Sequence, residues 1–163
     1  MTFIHRLSDL FHKVEKFIAI ILCLTMLISL SLGVFFRYVL SAPLNWSDET
    51  AIFSLVWLTF IGGSLGIKTQ SSAAVTLFMD RFSGKIKTIL FGLGLLAALV
   101  FVAYIFYLSI IWISSPSIML QRSNSMRLPM IIPYLSVPVS FFFMTIHSID
   151  LMAKNFLDKR EAL

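Results

Sequence analysis

The chain has 163 residues, 58% of them hydrophobic and 13% charged, with a mean hydropathy of +0.92. Soluble domains run about 45–50% apolar and about 25% charged, so a soluble globular domain and a disordered tail are both excluded, and the length allows one small bundle. One cysteine, Cys23, and three histidines leave neither an internal disulfide nor a zinc cluster.

Residues 2–16 place Phe3, Leu7, Leu10, Phe11 and Val14 at three-to-four spacing. This predicts an amphipathic helix whose basic face suits an anionic membrane surface. A charge-free run of 20 residues then extends from Phe17 to Phe36, the length of a membrane-crossing helix, and the first span is expected over roughly 17–40. It is about twice the length of a signal-peptide core and lacks a small-residue cleavage site, so it is expected to stay uncleaved. After the turn Ser41-Ala42-Pro43-Leu44-Asn45, a second charge-free run covers Thr50–Ile67, giving a span over roughly 48–69. Ser47 is placed to cap it, and Asp48 and Glu49 suit the positive end of its helix dipole.

Between the second and third spans, Val75, Phe78, Met79 and Phe82 fall on one helical face after Ser71-Ser72. A short interfacial arm helix is expected there, over roughly 72–82. The third charge-free run, Thr88–Gln121, is long. Its helix is expected over roughly 85–114, ending near Ser114-Ser115-Pro116, where proline forbids continuation. The fourth span is expected from Pro129 to about Lys154, with Pro138 bending it. Stretches such as FIAIILCLTMLISLSLGVFF show none of the alternation of a membrane barrel. The reading is an all-α membrane protein with four transmembrane helices, an amphipathic N-terminal helix and a short arm helix.

Ten of the thirteen Lys and Arg residues lie in the N-terminal segment, the second connection and the C-terminal segment; Arg37, Arg122 and Arg127 lie opposite. By the positive-inside rule both termini are cytoplasmic. The net charge of +5 is thereby explained by topology, and no nucleic-acid partner is expected. Tyr38, Trp46, Trp112 and Tyr134 fall near the outer ends of their spans, as an aromatic belt does.

Arg37 and the pair Asp48 and Glu49 meet at one membrane depth across the first hairpin. Helix capping with an exposed ion pair, of about 0–1 kcal/mol, explains them locally; a charged cluster that docks another subunit explains them equally. Trp57 lies about two turns below Glu49, beneath the belt. Gly62 and Gly66 form a small-xxx-small pair that admits a close helix, as do Ser29 with Gly33 and Gly94 with Ala98; packing among the four spans is the simplest use of such pairs. His147 and Asp150 share a face near the inner end of the fourth span, at a depth where snorkelling to water accounts for them better than a proton relay. His5 and His12 lie outside the spans, which leaves His147 without a buried partner and disfavours haem ligation. No span carries a charge near its midpoint, and no apolar segment is broken as in transporter helices that bind solutes. The build is that of a scaffold.

The run GVFFRYVLSAPLNWSDETAIFSLVWLTFIGGSLGIKTQ, Gly33 to Gln70, resembles the small membrane subunit of tripartite ATP-independent periplasmic (TRAP) transporters. The matching features are Phe36-Arg37-Tyr38, Pro43-Leu44-Asn45-Trp46, Asp48-Glu49, Trp57 and Gly62-Gly63, in the family's order. Ser71-Ser72 stand where the family often has a histidine. The resemblance implies a non-catalytic subunit of the bacterial inner membrane, without cofactors. Its partners would be membrane lipids, a large elevator-type subunit that carries the substrate and sodium sites, and a periplasmic binding protein that delivers an organic acid such as sialic acid. Arg37, Trp46, Asp48 and Glu49 would then lie at the periplasmic surface or subunit boundary, and Trp57, Gly62 and Gly66 would face the large subunit. The rival reading is an independent four-span transporter acting as a homodimer, which would need a membrane-embedded carboxylate.

Overall fold

The computed structural model describes residues 2–69 and 84–161, and among these it is helical with no strand beyond one isolated bridge. The expected arm helix over 72–82 lies outside the described residues. Four helices are long and apolar enough to cross a membrane.

Helix α1 covers Thr2–Tyr38. The amphipathic segment and the first span are thus one uninterrupted helix of 37 residues, about 55 Å long at 1.5 Å per residue. No proline or glycine occurs between residues 2 and 32 to interrupt it. Its end is closed by Ser41 in the left-handed region, φ 51°, with the Ala42 amide donating to the Phe36 carbonyl. Helix α2, Asn45–Thr69, begins before Ser47. Ser47 therefore does not cap it from outside: its hydroxyl donates to the Leu44 carbonyl at 2.8 Å, and the residue is fully buried. A Cβ at Gly33 would lie 2.6 Å from Ser47 Oγ, so glycine and serine together set the close approach of α1 and α2.

Helix α3, Gly84–Ile113, stops just before Ser114-Ser115-Pro116, and Pro116 opens the short helix α4, Pro116–Leu120. The fourth span comprises α5, Ile131–Tyr134, and α6, Ser136–Glu161. The expected bend inside one helix at Pro138 is replaced by an interruption at Leu135. Because α6 restarts at Ser136, Pro138 falls in a first turn, where its missing amide hydrogen costs no intrahelical bond.

Helix α6 is the hub: α2 and α3 pack against it, and α1 lies across α2 and touches α6 as well. Three consecutive phenylalanines, about 100° apart around the helix, together reach all three neighbouring helices. Phe141 meets Phe60 of α2, Phe142 meets Phe106 of α3, and Phe143 meets Phe11 of α1 at 5.0 Å between centroids. Such aromatic pairs contribute about 0.5–1.5 kcal/mol each beyond area burial. Phe11, expected on the lipid-facing stripe of the N-terminal segment, is thereby part of the core. Elsewhere small polar residues share the interior with apolar ones: Ser29, Ser47, Ser54, Ser64, Ser109, Ser136 and Ser140 are buried alongside Ala51, Ile61, Val102 and Met144, while Phe17, Ile20, Leu24, Leu27 and Ile28 point outward. This is the reverse of a soluble bundle and suits helices surrounded by lipid, where small residues permit close backbone approach.

Candidate functional site

The bundle has two polar ends. The hairpin end joins α1 to α2 and holds the loop that precedes α5; the terminal end holds the start of α1, the end of α2 and the last turns of the fourth span.

At the hairpin end, Arg37 Nη2 donates to Asp48 Oδ2 at 3.0 Å, and both side chains are at least half exposed. Glu49, one residue on, is turned differently. Its Oε2 accepts from the Met126 amide at 2.8 Å and the Ser123 hydroxyl at 3.1 Å, and its Oε1 accepts from the Asn124 amide at 3.1 Å. One carboxylate therefore organises a whole loop, satisfying donors that would otherwise lack a protein acceptor. Ser123 Oγ accepts in turn from the Leu128 amide, and the Ser123 amide donates to the Leu128 carbonyl at 2.8 Å. An antiparallel bridge between Arg122 and Pro129 closes the loop, and Arg127 sits in the left-handed region at φ 55°.

The aromatic residues near this end are also engaged. The Trp57 indole donates to the Ile132 carbonyl of α5 at 3.2 Å, Trp112 lies against Tyr134 at 4.9 Å, and the Tyr134 hydroxyl donates to Gln121. Trp46 remains 40% exposed. Two of the three glycines of the second span, adjacent in sequence, differ from each other: a Cβ at Gly62 would meet nothing within 4 Å, whereas one at Gly63 would meet Met144 at 2.9 Å. Gly63 thus faces Met144 of α6 though it remains exposed, Gly62 lies on an open face, and Gly66 is half-buried.

The terminal end carries a network that sequence reading missed. His147 is fully buried, not snorkelling to water, and it has two partners. Nδ1 lies 2.8 Å from Ser8 Oγ, and Nε2 lies 2.9 Å from Oε2 of a fully buried Glu15. Lys68 Nζ donates to Ser8 Oγ at 2.6 Å, to Asp150 Oδ2 at 2.8 Å and to Asp9 Oδ1 at 2.8 Å. His5 lies 3.3 Å from Asp150, and Lys154 lies 3.5 Å from it. The donors order themselves along this chain. Because Ser8 Oγ accepts from the lysine, its own proton is available to His147 Nδ1, and the imidazole then donates from Nε2 to the Glu15 carboxylate. The His12 ring stands edge-on to His147 at 6.4 Å between centroids. The expectation that His147 lacks a buried partner is therefore corrected. A signal for it existed in the sequence: Ser8, His12 and Glu15 recur at steps of four and three along one face of a helix.

Among the described residues, no three histidine, cysteine or carboxylate side chains converge as metal ligands would. What the two ends do is hold helices and a loop in fixed relation.

Comparison with known proteins matches residues 26–158 to the family described as tripartite ATP-independent periplasmic transporters, DctQ component. A curated relative, the isethionate TRAP transporter permease protein DctMQ of Oleidesulfovibrio alaskensis, is 28% identical over 113 residues. That alignment covers 69% of this chain but 18% of the relative, so the chain spans less than a fifth of that protein's length. With the family match extending over most of the chain and four helices of membrane-spanning length, this multi-pass membrane protein belongs to the DctQ component family of TRAP transporters.

Proposed function

We propose that the chain is the non-catalytic small membrane subunit that braces a large elevator-type subunit during sodium-coupled uptake of an organic acid delivered by a periplasmic binding protein. The observation that carries this reading is the family match over residues 26–158. Two features support it. The relative is a permease named for DctM and DctQ together, of which the alignment covers 18%, so a much larger part of that permease accompanies the matched region there. Within this chain, the charged side chains of the described spans gather at the two ends of the bundle, which suits a stationary support whose solute is bound by another subunit. In this reading the chain lies in the bacterial inner membrane with both termini in the cytoplasm, its hairpin end faces the periplasm, and lipids cover much of its outer face. Sialic acid is the first solute to test, with isethionate, from the relative's name, as the second organic anion.

The open face at Gly62, with Gly66 one turn further, is the proposed seat for a helix of the large subunit, with Trp57 beside it. Arg37, Trp46, Asp48 and Glu49 form the proposed periplasmic boundary.

The test is gentle purification of the tagged chain from its native host, followed by mass spectrometry. A large polytopic partner at near-equal amount is the expected result. Recovery of the chain alone as a stable homodimer would overturn the reading in favour of a small independent transporter. Gly62→Leu is expected to insert normally and lose the large partner; normal assembly removes the interface from this face. Unchanged complex recovery and uptake in Arg37→Ala and Asp48→Ala would likewise remove it from the charged hairpin.

A further inference from the structure

Helix α3 stands at the edge of the bundle and packs closely on α6. Val102, Ser109 and Ile113 are buried on that side, and Phe106 lies against Phe142. The opposite face is open. Leu93, Ala97, Val100, Tyr104, Tyr107 and Ile111 follow one another at steps of four and three, and all are exposed, the tyrosines by 59% and 62%. They fall within about 80° of the helix circumference, the kind of seam into which a second helix packs.

The two tyrosines do not suit a face that meets lipid alone. The membrane-spanning part of α3 is Gly92–Ile113, so Tyr104 and Tyr107 stand about 2 and 7 Å from its middle, where the edge of the hydrocarbon is about 15 Å away. Tyrosine ordinarily sits at that edge, with its hydroxyl in reach of water. Helical side chains lean toward the N-terminus of their helix, which carries these phenols away from the nearer surface. Tyr134 donates to Gln121, but among the described residues neither the Tyr104 nor the Tyr107 hydroxyl has a partner. A hydroxyl in hydrocarbon without a hydrogen bond is costly. Thr25 and Thr59 avoid that cost by donating to carbonyls of their own helices, a return that a phenol is too long to make. The outward face of α1 shows what lipid requires: Phe17, Ile20, Leu24, Leu27 and Ile28, with no hydroxyl among them.

The occupant of the α3 face is therefore a membrane helix that brings hydrogen-bonding groups to this depth. A second α3 meets the requirement. A phenol both donates and accepts, and copies of one chain insert in one orientation. A two-fold axis along the membrane normal then sets the tyrosines of two copies level across one seam. Ala97, on the same line, permits close approach. The proposed seat for the large subunit lies elsewhere, on α2 at Gly62, and α2 and α3 each meet α6 rather than each other. We infer that the Leu93–Ile111 face of α3 is a dimer interface, through which two copies of this chain pair in the membrane by way of Tyr104 and Tyr107. The pairing does not depend on the subunit reading: each copy can carry its own large subunit on another face.

The experiment places the photoreactive residue p-benzoylphenylalanine at position 100 of the full chain in native-host membranes, with position 20 on α1 as control. Adducts formed on irradiation are identified by mass spectrometry. A chain–chain adduct is expected from position 100, and none above background from position 20. With the probe at position 100, the double variant Tyr104→Phe with Tyr107→Phe is expected to lower the yield of that adduct roughly three- to ten-fold, because interhelical hydrogen bonds in membranes are individually modest. Both substitutions keep the ring, and neither residue is packed inside the chain, so thermal unfolding in detergent is expected to stay unchanged. Adducts from position 100 that contain only lipid or only the large subunit would overturn the inference. Equal chain–chain yields at positions 100 and 20 would do the same, as would an undiminished yield in the double variant. Co-purification of the large subunit is scored from the same membranes: its absence sinks the subunit reading, whereas its presence without a chain–chain adduct sinks the dimer interface alone.

Discussion

The two ends of the bundle use similar residues for opposite purposes. At the terminal end, Glu15 and His147 are fully buried and Lys68 joins Asp9, Asp150 and Ser8 in one network spanning three helices. At the hairpin end, Arg37 and Asp48 form a single pair that is half open to solvent, and the other acid, Glu49, shapes a loop. Charges removed from solvent need every partner present, because losing one strands the rest in a low-dielectric setting. Charges left in water cost little to lose and remain available to other molecules. The terminal end is thus built to hold helices, and the hairpin end to leave a surface open.

Variants can break or sharpen this contrast. The largest effect is expected from Lys68→Met, which takes the nearest cation from the nearly buried Asp150, leaving it His5 at 3.3 Å and Lys154 at 3.5 Å, and should cost up to about 3–5 kcal/mol, read as thermal unfolding in detergent. The double variant Lys68→Met with Asp150→Leu should recover part of that loss, as apolar replacement of a buried pair does. A full loss in the double variant would show that the pair acts through something other than stranded charge. Gly33→Ala comes next: its new methyl meets Ser47 Oγ at 2.6 Å, and forcing α1 from α2 should cost about 1–3 kcal/mol. Glu15→Leu leaves His147 Nε2 without its acceptor and should cost about 1–3 kcal/mol, whereas Glu15→Gln, which keeps an acceptor oxygen there, should cost less. Equal losses from the two would mean that the carboxylate charge, not the hydrogen bond, is what His147 requires. Smallest is Arg37→Ala, expected to lower stability by about 0–1 kcal/mol. A loss comparable with that of Lys68→Met would erase the distinction between the ends.

The helices were legible in the sequence because each rests on a local pattern: charge-free runs long enough to cross a bilayer, and prolines that end or restart a helix. The meeting of Arg37 with Asp48 was legible too, since a short turn brings residues 11 apart together. The terminal network was not, because its pairs are 132 and 139 residues apart for Glu15 and Ser8 with His147. The spacing of Ser8, His12 and Glu15 marks a polar face on α1, but nothing local says that this face meets α6. Read alone, the apolar positions of the N-terminal segment describe a helix resting on lipid, yet Phe11 turns inward to Phe143 and the buried positions are Ser8 and Glu15. Glu49 was legible as an acid at a helix start, but its actual partners belong to a loop more than 70 residues away.

The unbroken helix α1 has a consequence for the order in which the protein is made. Its opening turns carry groups whose partners lie on α6, and α6 leaves the ribosome after α1, α2 and α3. While α1, α2 and α3 are emerging, Glu15 has neither His147 beside it nor a low-cost place in the hydrocarbon, so this segment stays at the water boundary. Only with α6 in place do Ser8 and Glu15 gain their imidazole and Asp150 close over Lys68. The first turns of α1 and the His147–Asp150 turn of α6 are thus seated in a single event, and ribosomes stalled before α6 should leave the first turns of α1 open to protease while the hairpin between α1 and α2 is already formed.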